Sequence, residues 1–334
     1  MSIIKQFIVQ VNPYLEFINS ILLTSKYNEI TSSFVGYGLM TEEINEYTSA
    51  IITFFEGYHD EKVYKLIESM IPKGFTFSRP VELMLSLGNS KNFKMQFTPS
   101  NLCVEYCGGF SMINQLLEEL KIFADKSSFF RFHEGIKKYY SPVVAQIKQE
   151  LQKYPFISLL EQEYGKIQNS YNYILSCLMK GNYGISFINQ ETLTADMFSV
   201  FSTDSFSLSP GVLFHEYSHP FINPLTEKYS AVTEKYKDAY ELLKAYKLPN
   251  FESGYGDWQE CINEHLVRAM SIHLLKKCHL DDMATKFLNN DLFCGYKYIP
   301  LILERYEFYD NHRNIYKNFE EYYPELLGVF LERF

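Results

Sequence analysis

Residues 209–224 read SPGVLFHEYSHPFINP, and this stretch decides how the second half of the chain is interpreted. Ser209 is a residue type that caps helix N-termini, and Pro210 suits the first helical position. The apolar run that follows predicts a helix buried on one side. Pro220 disfavours the helical conformation of the residue before it, and the Asn-Pro pair at 223–224 is expected to end the helix.

The same stretch contains the motif His-Glu-x-x-His at 215–219. On a helix, residues four apart lie on one face, about 6 Å apart along the axis, so both imidazoles can reach a single cation. Zinc suits such nitrogen ligands. Glu216 is turned about 100° from His215, beside the cation, where it can accept a proton from a water that zinc activates. The motif therefore predicts His215 and His219 as zinc ligands and Glu216 as the general base.

A catalytic zinc site commonly takes a third protein ligand, and Glu264 is the first candidate. It lies in a helical stretch that Asp257 can cap, with Glu260 in the capping-box position, so Glu264 has no capping role. A salt bridge to Arg268, four residues on, is the other explanation for Glu264. The alternative third ligands are Glu260, Glu227 and His265. Candidates for stabilising a developing oxyanion are Tyr183, His265, Arg268 and Arg313.

The rest of the chain predicts an α+β fold that is predominantly helical. Helical stretches are expected at 3–25 with a break or kink at Pro13, at 41–56, 59–71, 109–124 and 128–153, and again from 225 nearly to Phe334. Between them, residues 168–203 predict a small, mostly antiparallel sheet that leads into the motif helix. This shift suggests a helical N-terminal region at 1–165 and a metallohydrolase region at 166–334, although one continuous body is also possible.

Composition restricts the class of function. The chain has 334 residues, 46% of them hydrophobic, a net charge of −9 and a pI near 5.5. That charge argues against a general nucleic-acid binder and against anionic membranes. No signal peptide or membrane span is evident, so the expected location is the cytoplasm. The six scattered cysteines are then expected to be reduced thiols.

Two segments carry a resemblance to known proteins. His215-Glu-Tyr-Ser-His219 with Asn223-Pro224, and the later Asn263-Glu264 with Arg268-Ala269, resemble the gluzincin metallopeptidases. They are more similar to a bacterial family of HExxH proteins described only as a domain of unknown function. The likeness spans most of the chain, but it is specific only in these two segments. It implies a zincin-like lobe and a bound zinc ion but no substrate, because that family itself has none assigned. A peptide bond as the target is an expectation from the metallopeptidase resemblance alone.

Together these observations predict a zinc-dependent hydrolase, a metallopeptidase acting on a peptide or protein substrate. One alternative keeps the site but changes the substrate to a non-peptide amide. The other is a helical binding or scaffold protein with a vestigial zinc site. Glu216 favours an enzyme, because a purely structural zinc site does not need that carboxylate.

Overall fold

A computed structural model of the chain describes residues 5–88, 90, 92–202, 209–244, 246 and 257–333. The chain divides into two compact units, which are described separately. One, the sheet unit, comprises residues 7–150 and 170–207. The other, the helical unit, comprises residues 1–6, 151–169 and 208–334. The sheet thus belongs to the same unit as the N-terminal helices. The boundary suggested from the sequence, at residue 165, would instead place the sheet in the C-terminal region.

Helices dominate both units. Up to residue 151 the α-helices are α1 Pro13–Thr24, α2 Tyr27–Val35, α3 Glu46–Phe55, α4 Lys62–Met70, α5 Ser78–Leu85, α6 Asn101–Tyr106, α7 Gly109–Ser127, α8 Phe129–Gly135 and α9 Ser141–Leu151. The helices that follow are α10 Phe156–Tyr164, α11 Pro210–Lys228, α12 Ser230–Thr233, α13 Asp238–Lys244, α14 Trp258–Lys277, α15 Asp281–Phe293, α16 Ile299–Asn311 and α17 Phe319–Leu326. Short 3-10 helices lie at Ile71–Lys73, Lys137–Tyr139, Glu234–Tyr236 and Leu327–Leu331. The predominantly helical α+β class is confirmed.

The sheet of the described residues has four strands, β1 Ile8–Gln10, β2 Ser170–Ser176, β3 Tyr183–Ile188 and β4 Ala195–Ser202. Their order is β1-β2-β4-β3; β1 pairs with β2 and β2 with β4 in parallel, and only β3 with β4 is antiparallel. The prediction of a mostly antiparallel sheet was therefore wrong. Strands β2 and β4 are almost continuously buried, which is typical of strands covered on both faces.

The first strand replaces the start of a predicted helix. Residues 8–10 pair with β2, and the helix begins only at Pro13. Asn12 caps it, because its side-chain oxygen accepts hydrogen bonds from the backbone N–H groups of Tyr14 and Leu15. Proline is favoured at a first helical position, so Pro13 starts this helix and does not kink it. Of the other helical predictions, the positions 3–4, 245, 247–256 and 334 lie outside the described residues.

Aromatic side chains fill the core of the sheet unit. The Phe17 ring lies 4.7 Å from Phe129 and 5.9 Å from Phe123, measured between centroids. Phe55 is fully buried and lies 5.8 Å from both of those rings. Such stacked and tilted pairs add to the free energy of burying apolar area.

The helical unit is built around α14, which packs against α11, α15 and α16. α10 packs against α11 and α17. Tyr164 of α10 stacks on Phe221 of α11 at 4.2 Å, and both rings are buried. This packing fixes the two helices that carry the predicted site residues. Across the described part of the chain, none of the helices has the length and apolar character needed to cross a membrane.

Candidate metal centre

The motif lies on α11, which begins where the sequence predicts. Ser209 is the N-cap residue and Pro210 the first helical residue. The Ser209 side chain makes no capping hydrogen bond; its hydroxyl lies 3.7 Å from the sulfur of Met283 instead. Gly211 sits close to α15, because a Cβ added there would lie 2.5 Å from Phe287.

The helix continues to Lys228, so the prediction that it ends at Asn223-Pro224 was wrong. Pro220 and Pro224 both lie inside it. Each removes one backbone donor, but packing against α14 holds the helix together. Thr226, after the second proline, contributes a hydroxyl that lies 2.6 Å from the Tyr323 hydroxyl. His219 is therefore in the middle of a helix, with its side chain on the same face as that of His215.

The structure brings His215, His219 and Glu264 together. His215 Nε2 lies 3.1 Å from His219 Nε2, and Glu264 Oε1 lies 3.4 Å from His219 Nε2. Glu264 Oε2 is 3.9 Å from His215 Nε2. Two ligands of one tetrahedral zinc, each about 2.0–2.1 Å from the metal, lie about 3.3 Å apart. The spacing and the chemistry of these three groups therefore fit a zinc ion.

Charge and burial also suit metal binding. Burial lowers the pKa of His215 to about 3, so its imidazole is neutral at neutral pH, as a metal ligand must be. Burial alone would raise the pKa of Glu264, but the neighbouring His215, His219 and Arg268 together lower it to about 2. The carboxylate is thus ionised. Burial raises the pKa of Glu216, one residue after His215, to about 7.

Arg268 and its partners hold the Glu264 carboxylate in position. Arg268 Nε donates to Glu264 Oε2 at 3.0 Å, and its Nη1 donates to Asp291 Oδ1 at 2.8 Å. The guanidinium also lies 4.1 Å from the centroid of the Tyr296 ring. Glu264 makes the predicted salt bridge to Arg268 through Oε2, while its Oε1 faces His219, so the two explanations of Glu264 are geometrically compatible. A metal bound here would therefore be held through the single oxygen Oε1.

Asn223 orients the second histidine. Its amide oxygen lies 3.2 Å from His219 Nδ1 and can accept a hydrogen bond from that nitrogen. A proton on Nδ1 leaves Nε2 with its lone pair directed at the cluster. The sequence analysis included Asn223 as a helix terminator and as part of the family resemblance but gave it no role at the site, and Asp291 was not predicted at all. The (i, i+4) spacing of Asn223 from His219 was the one available signal for the former.

The other candidates lie elsewhere. Glu260 and Glu227 are exposed, and neither is among the three residues whose ligand atoms converge. Asp257 caps α14 as predicted, accepting a hydrogen bond from the Glu260 backbone at 2.9 Å. His265 is fully buried; its Nδ1 lies 2.8 Å from the Cys261 carbonyl, and its ring packs against Tyr296.

Three oxyanion candidates have structural partners instead. Arg313 donates to the backbone carbonyl oxygens of Gln162 and Glu163. Arg268 is engaged by Glu264 and Asp291. Tyr183 lies in β3 of the sheet unit, where its hydroxyl donates to the Lys180 carbonyl at 3.3 Å. The oxyanion role therefore stays a prediction for each of these three described residues.

The chain belongs to the family described as Domain of unknown function (DUF4932), whose model matches residues 7–329. The predicted likeness to such a family over most of the chain is confirmed at this level. No curated protein and no solved structure matches the chain. The zinc-peptidase part of the resemblance stays a prediction.

Proposed function

We propose that this member of the DUF4932 family is a zinc-dependent hydrolase that cleaves peptide bonds. The observation that supports this most is the convergence of His215, His219 and Glu264 beside a buried Glu216. Two imidazoles and one carboxylate are a common ligand set of catalytic zinc, and they leave a position for water. Glu216 is the additional carboxylate that hydrolysis requires and metal binding does not.

Each residue has a distinct proposed role. His215 Nε2, His219 Nε2 and Glu264 Oε1 would hold the zinc ion. When bound, zinc would act as a Lewis acid that polarises the scissile carbonyl and acidifies water. Glu216 would take a proton from the attacking water and later deliver it to the leaving amine. A carboxylate placed beside the metal can do both, because it accepts a proton in its ionised form and donates it in its neutral form.

Burial of Glu216 is the argument against a vestigial site. Glu216 is 8% exposed, and burial disfavours the ionised form of its carboxyl group. A scaffold would gain stability by replacing it with an apolar residue of similar size. The presence of a destabilising carboxyl next to two metal-type ligands is consistent with use in catalysis. The peptide bond as target rests on the sequence resemblance alone.

The test combines metal content with turnover in the purified full chain. We expect His215→Ala and Glu264→Ala each to lose one zinc relative to the wild type, measured by plasma mass spectrometry. Glu260→Ala is the matched control on the same helix, and it should keep all its metal. Glu216→Gln should also keep its metal but lose hydrolysis of a fluorogenic peptide library by at least about 100-fold.

The outcomes separate the alternatives. If His215→Ala keeps as much zinc as the wild type, the site does not bind zinc and the hydrolase proposal fails. Turnover of simple amides but not peptides, lost in Glu216→Gln, would identify a non-peptide amidase. Stoichiometric zinc without turnover of either substrate class would favour the scaffold.

A further inference from the structure

A second group of potential ligands lies in the helical unit. Glu163 at the end of α10, His273 on α14 and Asp310 on α16 place three ligand atoms within 4.8 Å of one another. His273 is nine residues after Glu264 on the same helix, about 13.5 Å along its axis. This group is therefore separate from the candidate centre on α11.

We propose that Glu163, His273 and Asp310 form a second zinc site, one that ties three helices together. The ligand atoms would be Glu163 Oε1, His273 Nε2 and Asp310 Oδ2. His273 Nε2 lies 3.1 Å from Asp310 Oδ2 and 3.5 Å from Glu163 Oε1. These distances bracket the separation of about 3.3 Å expected for two ligands of one tetrahedral zinc.

Two of the three atoms lack the hydrogen bonds that buried polar atoms normally make. His273 is 5% exposed and Glu163 2% exposed. Among the described residues, neither His273 Nε2 nor Glu163 Oε1 makes a hydrogen bond of normal geometry, although the two atoms face each other and His273 Nε2 lies 3.1 Å from Asp310 Oδ2. A buried polar atom without a partner costs about 1–3 kcal/mol. A cation between them would satisfy both.

The remaining carboxylate oxygens are already occupied. Lys277 Nζ lies 2.8 Å from Asp310 Oδ1 and also binds Glu163 Oε2. Each carboxylate thus has one oxygen on the ammonium and the other directed at His273. One ammonium balances only one of the two carboxylates, so the group carries a net negative charge when His273 is neutral. A divalent cation would change that charge from −1 to +1, whereas a proton on His273 would bring it to zero, so the two occupants differ in the charge of the group.

Contacts outside the ligand atoms hold this geometry. The Glu163 backbone carbonyl accepts hydrogen bonds from the Tyr309 hydroxyl at 3.2 Å and from Arg313 Nη1 at 2.8 Å. The His273 ring packs edge-on against Tyr306 at 5.7 Å. Asp310 has a side chain that is 29% exposed, which gives an ion and a water ligand access to the group. A preorganised, partly accessible set of one nitrogen and two oxygens suits zinc.

The alternative occupant of this space is a proton. A protonated His273 would supply one positive charge in place of the metal, and no zinc would bind. Zinc stoichiometry distinguishes the two. The full chain is stripped with a chelator, reloaded with zinc, freed of excess metal and analysed by plasma mass spectrometry. We expect two zinc ions per chain in the wild type and in the control His59→Ala, which alters an exposed histidine of the sheet unit.

The decisive variant leaves the second group intact. His215→Ala/His219→Ala should keep one zinc per chain, and a folded double variant with none would overturn the inference. His273→Ala should lose one zinc and keep the one on α11. If His273→Ala does not fold, by circular dichroism, Glu163→Gln serves the same purpose. Zinc lost only from the His273 variant would support this site while contradicting the proposed hydrolase centre.

Discussion

Removing the guanidinium of Arg268 tests how the candidate centre is held. In Arg268→Met a side chain of similar length remains, but Glu264 and Asp291 lose their cation. The Asp291 side chain is 2% exposed and that of Glu264 is 20% exposed. Water therefore cannot fully replace the guanidinium as a partner of these two carboxylates. Breaking a buried ion pair by removing one partner costs about 3–5 kcal/mol. We expect a loss of this size in the metal-free protein.

The single tryptophan provides the assay. Trp258 begins α14, is 2% exposed, and donates its indole N–H to the Thr233 carbonyl at 2.8 Å. Its fluorescence therefore reports urea unfolding of the helical unit. The matched control is Arg305→Met, which breaks the half-exposed ion pair with Glu332 and should cost less than about 1 kcal/mol.

A second substitution separates charge from packing. Adding Asp291→Asn to Arg268→Met removes one of the two uncompensated carboxylates, so the double variant should recover a substantial part of the lost free energy. A loss in Arg268→Met no larger than in Arg305→Met would refute the view that this guanidinium balances buried charge. Equal stability of the single and double variants would assign the loss to packing on Tyr296 instead.

Three further predictions follow from contacts in the two units. Burial raises the pKa of Glu16 from 4.5 to about 7, so the native state binds a proton that the unfolded state releases between these values. The Glu16 contribution to stability should therefore fall by about 3 kcal/mol as pH rises from 4.5 to 7. Between pH 5 and pH 8, wild-type stability should fall by about that much more than the stability of Glu16→Gln, which keeps the separate dependence from Glu216; circular dichroism during urea unfolding would show the difference. Asn223→Ala should weaken zinc binding about 10–100-fold, measured by competition with a chelator, because His219 loses its orienting partner; unchanged affinity would contradict that role. Gly211→Ala should destabilise the helical unit by about 1–3 kcal/mol, because the new Cβ meets Phe287 at 2.5 Å, and an unaltered urea midpoint would show that the ring can move aside.

Local patterns predicted the elements better than their arrangement. The three long strands and most helices appear where periodicity and turn residues indicated. The parallel pairing of β1 with β2 could not be read from such patterns, because ten helices separate the two strands in sequence. Parallel strands require a crossover connection, and here that connection is most of the first half of the chain.

In the candidate metal centre, too, the sequence predicted the residues with a local signal and missed one that depends on packing. His215, Glu216 and His219 are close in sequence, so helix geometry alone places them together. Glu264 could be singled out because Asp257 and the capping position accounted for its neighbour Glu260. Asp291, 23 residues beyond Arg268, carries no local signal, because its contact depends on how α15 packs against α14.

The rule that an interior proline ends a helix fails for α11, whereas the rule that Asp caps a helix holds for Asp257 at the start of α14. An interior proline costs a helix about 3 kcal/mol, which is enough to end an isolated one. Phe214, Tyr217 and Phe221 of α11 are at most 4% exposed, and each such burial contributes about 1.5–3 kcal/mol. Ending the helix before the second proline would also separate Thr226 from Tyr323, a buried contact between hydroxyls. Tertiary packing therefore outweighs backbone preference on α11, whereas at the start of α14 the cap and the packing favour the same boundary.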